Sequence, residues 1–153
     1  MTYCIDTSAL MDAWHRWYPP EVFISLWQYV EQLVDDGRLF TSEEVLRELE
    51  RKSDELHNWI KIRKSACLPL TDLIQERVSD ILLEFPKLVD SRTGKSFADP
   101  FVIATASVHW ATVVTGEKPT GSRDRPKIPD VCSHLEIECI SIVDLIRREK
   151  WTF

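Results

Sequence analysis

Short β-branched or apolar runs alternate with longer amphipathic segments, and this alternation constrains the fold more than any other feature of the chain. The runs predict strands over residues 3–5, 38–40, 111–115 and 137–142. The longer segments repeat apolar residues every three or four positions, as helices do when one face is buried. They predict helices over residues 8–17, 22–34, 41–51, 54–64, 72–85, 100–110 and 143–150. Strands separated by helices pair in parallel, so we predict an α/β fold, a three-layer α/β/α sandwich with a short parallel sheet of about four strands.

Length and composition predict one folded domain over residues 1–153. The chain is 44% hydrophobic and 29% charged, and its 4 glycines leave no stretch that resembles a flexible linker. No apolar run approaches the roughly 20 residues that span a bilayer, and the first residues lack the pattern of a secretory signal. We therefore expect a soluble, cytoplasmic protein that does not associate with membranes and whose cysteines are thiols.

The charge distribution is acidic overall but contains one basic segment. A net charge of -6 excludes a general basic field that coats nucleic acid. Between residues 118 and 127 the cations outnumber the single Asp124, and these cations are Lys118, Arg123, Arg125 and Lys127. The segment is a candidate phosphate-binding loop, and a solvated loop with ordinary surface charges is the alternative.

Four carboxylates are placed where the predicted sheet would bring them together. Asp6 follows the first strand, Glu48 lies in the helix after the second, Asp99 begins a helix, and Glu117 follows the third strand. Sites in parallel sheets lie beyond the carboxyl ends of the strands, so we expect these side chains to converge there. Converging carboxylates repel one another, and Mg²⁺ or Mn²⁺ offsets that cost. The pattern therefore predicts metal-assisted hydrolysis of a phosphodiester.

Each carboxylate also has a structural explanation. Asp99 before Pro100 is a typical helix N-cap, and Asp6 can serve as a turn or N-cap residue. Glu48 can be a solvated carboxylate on an amphipathic helix, and Glu117 an ordinary loop residue.

Glu44 is explained by a predicted capping box with Thr41 at the start of its helix. Because Glu44 shares a helix face with Glu48, it can also support the site. The tryptophans are predicted to pack in the core rather than to stack on bases, since they fall mostly at helical spacing among apolar neighbours. These are Trp14, Trp17, Trp27, Trp59 and Trp110.

Four segments together resemble the PIN-domain nucleases, especially the toxin subunits of bacterial and archaeal toxin-antitoxin pairs. They read YCIDTSAL at residues 3–10, TSEEVLREL at 41–49, ADPFVIATA at 98–106 and VVTGE at 113–117. The resemblance spans nearly the whole chain. It implies a Mg²⁺- or Mn²⁺-dependent endoribonuclease in which Asp6, Glu48 and Asp99 direct the metal and Ser8 or Thr115 supports them. It also implies an RNA substrate, a homodimer and a small antitoxin partner that blocks the acidic pocket.

The sequence departs from this family pattern at the fourth acid. Such families commonly have Asp after Thr-x, followed by Asp-Phe, whereas Glu117 is followed here by Lys-Pro-Thr. Glu is one methylene longer, so ligation through water or a structural role is open at this position. The helical length over residues 54–85 and the segment 128–132 resemble a PIN subgroup without an assigned function.

Two other functions are compatible with the sequence. One is a phosphatase or phosphotransferase with Asp6 as nucleophile, although such enzymes usually carry a second Asp where this chain has Ser8. The other is a PIN-like module that binds a partner or RNA without cleaving it.

Overall fold

A computed structural model of the protein describes residues 1–90, 92–94 and 96–153, and these residues form a parallel sheet flanked by helices. The sheet has five strands in the order β3-β2-β1-β4-β5. The strands are β1 (Tyr3–Ile5), β2 (Leu39–Ser42), β3 (Cys67–Leu68), β4 (Thr112–Val114) and β5 (Cys139–Ile140). Each pairs in parallel with its neighbour, which confirms the predicted α/β fold class.

Helices connect every pair of consecutive strands. They are α1 (Thr7–Asp12), α2 (Ile24–Asp35), α3 (Glu43–Lys52), α4 (Asp54–Ile62), α5 (Asp72–Glu84), α6 (Asp99–His109), α7 (Ile128–His134) and α8 (Ile142–Glu149). A π-helical turn, Ala13–Trp17, continues α1, and a 3₁₀ turn, Lys64–Ala66, precedes β3. Across the described ranges, no helix is long and apolar enough to span a membrane.

The strand order fixes the position of the site. The chain moves outward from β1 to β2 and β3, then returns to the other side of β1 for β4 and β5. Because parallel crossovers are right-handed, α1–α4 cover one face of the sheet and α5–α7 the other. The strand order therefore reverses between β1 and β4, and side chains beyond their carboxyl ends line a crevice suited to ligands.

Two elements were absent from the sequence-based prediction. β3 has only two residues, too few to show a period, and its pairing of Cys67 with Thr41 of β2 defines it. α7 contains Pro129 and is one of the shorter helices, so its sequence shows little helical period. The predicted loop over residues 87–97 includes Ser91 and Lys95, which lie outside the described residues.

Two predicted helix caps are wrong: the N-cap is the following residue in one case and the preceding residue in the other. The capping box was assigned to Thr41, but Thr41 belongs to β2 and its hydroxyl donates to the Ile5 carbonyl at 2.5 Å. Ser42 caps α3 instead, accepting from the Glu44 amide. Ala98 is the N-cap of α6, so Asp99 is its first helical residue. The carboxylates of Glu44 and Asp99 are therefore not explained by capping.

The tryptophan prediction is right for three residues and wrong for two. Trp14, Trp27 and Trp59 pack together, with ring centroids 4.9 to 6.0 Å apart. Trp17 is 62% exposed and Trp110 is 94% exposed. Helical spacing alone did not distinguish these exposed tryptophans from the packed ones, because Trp17 ends a π-helical turn and Trp110 follows the last residue of α6.

Candidate active site

Asp6 lies at the reversal point of the sheet, and its position follows from the end of β1. Its amide donates to the Val114 carbonyl at 3.0 Å, which continues the pairing of β1 with β4 by one residue. Its carboxylate accepts from the Ala9 amide at 2.7 Å and caps α1, as the sequence suggested. The side chain is buried, with 1% of Asp6 exposed.

Two hydroxyl groups also hold the Asp6 carboxylate. Thr115 Oγ1 donates to Oδ2 at 2.6 Å, and Ser8 Oγ lies 2.8 Å from the same oxygen. A carboxylate has about four acceptor positions, and these three donors leave roughly one for another ligand. Ser8 and Thr115, two of the three residues named as supporting from the sequence, therefore contact Asp6 directly and fix its orientation.

The same hydroxyls tie the loop after β4 to Asp6. The Gly116 amide donates to Ser8 Oγ, and the Glu117 amide donates to Thr115 Oγ1, each at 3.0 Å. Both hydroxyls thus accept from the loop and donate toward Asp6. This network sets the position of Glu117 relative to Asp6, although the two are far apart in sequence.

The electrostatic environment of Asp6 favours its protonated form. Burial raises the pKa of Asp6 to about 7, against the lowering effect of hydrogen bonds from Thr115, Ala9 and Ser8. The nearby charge of Glu117 raises it further. A buried carboxylate with a raised pKa in a crevice is a common property of functional sites.

Asp99 is the acid whose electrostatic environment includes the other three predicted carboxylates. It begins α6 and is 8% exposed. Burial raises its pKa well above the usual range, and the charge of Glu117, the charge of Asp6 and a hydrogen bond with Glu117 raise it further. The charge of Glu48 acts in the same direction. The structure therefore brings Asp6, Asp99 and Glu117 together at one edge of the sheet, with Glu48 beside them.

Glu117 carries an oxygen without a hydrogen-bonding partner among the described residues. This atom, Oε2, is buried. The Lys127 ammonium lies 3.9 Å from it, beyond hydrogen-bonding distance. A buried carboxylate oxygen is costly when unpaired, so a cation at this position would stabilise the fold.

Glu44 and Glu48 of α3 are each paired with a basic residue of the same helix. Glu48 accepts from Lys52 at 2.9 Å, and Glu44 forms a short ion pair with Arg47. Sequence reasoning missed both basic partners, which lie three and four residues after the acids. This spacing is the usual one for helical ion pairs and was visible in the sequence.

The donor set has the chemistry that Mg²⁺ or Mn²⁺ prefers, namely carboxylate oxygens held with few other cations. Within residues 1–90, 92–94 and 96–153, however, no three His, Cys, Asp or Glu side chains are placed closely enough to hold a metal ion. Glu48 is paired with Lys52 at 2.9 Å, and the Lys127 ammonium lies 3.9 Å from Glu117. The residues therefore fit a hard cation in type. Glu117 lies with Asp6 and Asp99, whereas Glu48 is paired with Lys52.

The four cations of the predicted phosphate-binding loop do not form one cluster. Lys127 lies near Glu117, and Lys118 lines a cavity beside it. Arg123 instead lies over the Phe85 ring at 4.9 Å and near Glu84, while Arg125 is exposed beside a separate cavity. Their role in substrate binding remains a prediction, and Lys118 and Lys127 are the two that the fold places at the site.

A cavity of about 510 Å³ adjoins the carboxylates and includes residues that sequence reasoning did not select. Asp12, Arg16, Trp17 and Tyr18 line one wall, and Thr115 to Lys118 line another. Asp12 lies one helical turn after Ser8, so a helical projection of residues 6–18 would have placed it near the site.

Gly116 allows the close approach of α1 to the loop after β4. A Cβ atom at this position would lie 2.6 Å from Asp12 Oδ2 and 3.3 Å from Ser8 Oγ. The first distance is too short for a Cβ contact and the second is tight, so an added methyl group must displace the Asp12 carboxylate and press on the hydroxyl that contacts Asp6.

We predict that Gly116→Ala lowers the free energy of unfolding by about 1 kcal/mol, the lower end of the usual cost of overpacking, because the closest atom is the end of the Asp12 side chain. Urea denaturation of the wild type, Gly116→Ala, Asp12→Ala and the double variant measures this. The double variant should lose less stability than the sum of the two single variants, because Asp12→Ala removes the closest contact. An equal cost of Gly116→Ala in both backgrounds would contradict this assignment.

The strand order and the helices on both faces define a PIN-like fold, and solved structures share it. A chain of the VapBC2 complex from Rickettsia felis, solved with a DNA fragment from its promoter, matches with a TM-score of 0.54 and 15% identity. The match covers 92% of this chain and 98% of that chain. A chain of FitAcB from Neisseria gonorrhoeae matches with a TM-score of 0.53 and 16% identity over 91% of this chain and 96% of that chain. At these identities the similarity concerns the fold alone.

The sequence itself places the protein in a family. Residues 3–153 match the model described as Domain of unknown function (DUF4411), and the chain belongs to this family. A search of curated proteins found no match.

Proposed function

We propose that the protein is a Mg²⁺- or Mn²⁺-dependent endoribonuclease and the toxin of a toxin-antitoxin pair. The observation that carries the proposal is the group formed by Asp6, Asp99 and Glu117, buried or nearly so at the reversal point of a parallel sheet. Burial together with the charges of neighbouring acids raises the pKa values of both aspartates. Such a group is better suited to a ligand than to stability.

In this proposal the chain supplies a rigid anionic cup, formed by the carboxylates of Asp6, Glu48, Asp99 and Glu117. Asp6 is oriented by Ala9, Ser8 and Thr115, and Asp99 is held at the start of α6. When bound, a divalent cation lowers the pKa of water and neutralises charge on phosphoryl oxygens. Glu48 and Glu117 serve as further oxygen donors to the cation once they release Lys52 and Lys127. Lys118 and Lys127 are then placed to contact phosphates of the substrate strand.

The proposed partner is a small antitoxin that blocks this cup with a basic side chain. Lys52 and Lys127 already lie at Glu48 and Glu117, so the site accepts ammonium groups. The two solved structures described above are toxin-antitoxin complexes, which supports a partner of this kind. We also propose that the toxin is a homodimer.

One alternative has a specific observation in its favour. The lysine contacts of Glu48 and Glu117 leave no assembled metal site in the described ranges, as expected of a PIN-like module that binds RNA or a protein without cleaving it. The phosphatase alternative is weaker, because Asp6 is fixed by three donors and Ser8 replaces the second aspartate.

Cleavage assays with a divalent cation test the proposal. Purified wild-type protein is incubated with end-labelled single-stranded RNA, and separately with DNA of the same sequence, at increasing Mg²⁺ or Mn²⁺. We expect internal cleavage of RNA that requires the cation and stops with EDTA. RNA binding without cleavage at any cation concentration would support the silent module, and a trapped phosphoenzyme would support the phosphatase.

A further inference from the structure

The cavity of about 510 Å³ lies next to the carboxylates, but most of its wall comes from other elements of the fold. It lies between the end of α1 with its π-helical turn, the loop after β4 and the start of α8. Thr115 and Glu117 line it and also belong to the carboxylate network. An occupant of the cavity is therefore adjacent to any phosphate bound at the carboxylates.

Trp17 gives this cavity an exposed aromatic wall. The residue is 62% exposed, whereas Trp14, one turn earlier, packs against Trp27 and Trp59. Both residues belong to the π-helical turn Ala13–Trp17, and such turns occur frequently at functional sites. A large apolar side chain left exposed at the edge of a cavity is available for a flat ligand.

The polar residues of the cavity offer both donors and acceptors. The carboxylate of Asp12 and the guanidinium of Arg16 lie 3.8 Å apart and both line the wall. Lys118 and Ser141 lie in the lining as well. A nucleobase presents a flat π-face together with an edge that carries donors and acceptors, so this lining matches it.

We propose that the cavity binds one base of a single-stranded nucleic acid whose neighbouring phosphate lies at the carboxylates. Trp17 stacks on the base, and Asp12 and Arg16 contact its edge. The volume of about 510 Å³ falls within the range of small-ligand sites and accommodates one nucleoside. This proposal rests on the proposed nuclease function and adds the way in which the substrate is recognised.

The test compares a six-nucleotide uridine RNA with an abasic strand of the same length and charge. Binding is measured by fluorescence polarisation with Ca²⁺ in place of Mg²⁺. Wild-type protein should prefer the RNA with bases, and Trp17→Ala should reduce its affinity for that strand on the order of tenfold. Its affinity for the abasic strand should change less than twofold, and Trp17→Phe should retain most of the preference.

Trp110→Ala is the matched control. Trp110 is 94% exposed but lies between α6 and the amino end of β4, at the opposite edge of the sheet from Asp6. It should bind both strands as the wild type does, and thermal melts of each variant report on folding.

Two results would overturn the base-binding proposal. One is a wild-type protein that binds both strands equally, which would leave the cavity to a protein partner. The other is a Trp17→Ala variant that loses affinity for both strands alike. Cleavage of the same RNA by wild-type protein with Mn²⁺ is measured in parallel. Absence of cleavage contradicts the nuclease function while leaving the base preference intact, so the two failures are distinguishable.

Discussion

Asp6→Asn is expected to reduce cation-dependent RNA cleavage by at least about 10³-fold while the protein stays folded. The substitution keeps the size of the side chain and an oxygen that can accept from Ala9, but removes the charge that would hold a cation. The folded state also no longer carries a buried ionisable carboxylate at this position. The melting temperature without metal should therefore equal or exceed that of the wild type at pH 8.

Asp35→Asn is the control for this experiment. Asp35 is exposed at the end of α2, before β2 begins, and thus at the opposite edge of the sheet. Cleavage rates and thermal melts of both variants are compared with the wild type. An Asp6→Asn protein that cleaves RNA within tenfold of the wild-type rate would show that the carboxylate group is not the reactive site.

The second large effect concerns the free energy of unfolding as a function of pH. Without a divalent cation the buried aspartates should make it fall as pH rises, and a bound cation should reverse that fall. The pKa of Asp6 is raised to about 7 by burial, and burial together with neighbouring acids raises that of Asp99 as well. Between pH 4 and 7 the folded protein therefore retains protons that the unfolded chain has lost. The contribution of these groups to stability is present below pH 4 and is lost as pH rises through 7, with Asp99 extending the loss to higher pH.

A cation that binds the ionised carboxylates should reverse this loss. At a concentration 100 times its dissociation constant it adds about 2.7 kcal/mol of stability, which corresponds to roughly 5 to 10 °C in a chain of this size. Urea denaturation between pH 5 and 8, with and without Mn²⁺, measures both effects. We expect Mn²⁺ to stabilise the wild type more at pH 8 than at pH 5.

The double variant Asp6→Asn, Asp99→Asn separates this contribution from other titrations. Glu138, for example, has its pKa lowered to about 2 by a hydrogen bond from Arg148, so it stabilises the fold as pH rises from that value. Subtracting the free energy of unfolding of the double variant from that of the wild type at each pH removes such contributions. If Mn²⁺ stabilises the double variant as much as the wild type, the cation binds elsewhere.

The sequence was sufficient to predict the fold class because the signals were local. The runs at β1, β2, β4 and β5 are apolar, and the helices between them show a helical period. β3 and the caps at Ser42 and Ala98 were missed because they depend on pairing and on the exact residue at which a strand or loop ends. The pairing of a short strand and the residue at which a strand ends are determined by tertiary hydrogen bonds, such as the one from Thr41 to the Ile5 carbonyl.

The candidate site was predictable only in part. The positions of Asp6, Asp99 and Glu117 at one edge followed from parallel pairing, and the structure places them together. The pairing of Glu48 with Lys52 and the exposure of Trp17 did not follow, because both depend on side-chain placement around one turn of helix.

By itself the sequence determined which residues lie at the carboxyl edge of the sheet, since alternation and parallel pairing leave little choice. Only the tertiary structure decided how strongly these residues interact. Burial and the loop network from Thr115 and Ser8 bring like charges together, and the free energy of that approach depends on distance and solvent exposure, which sequence spacing does not contain.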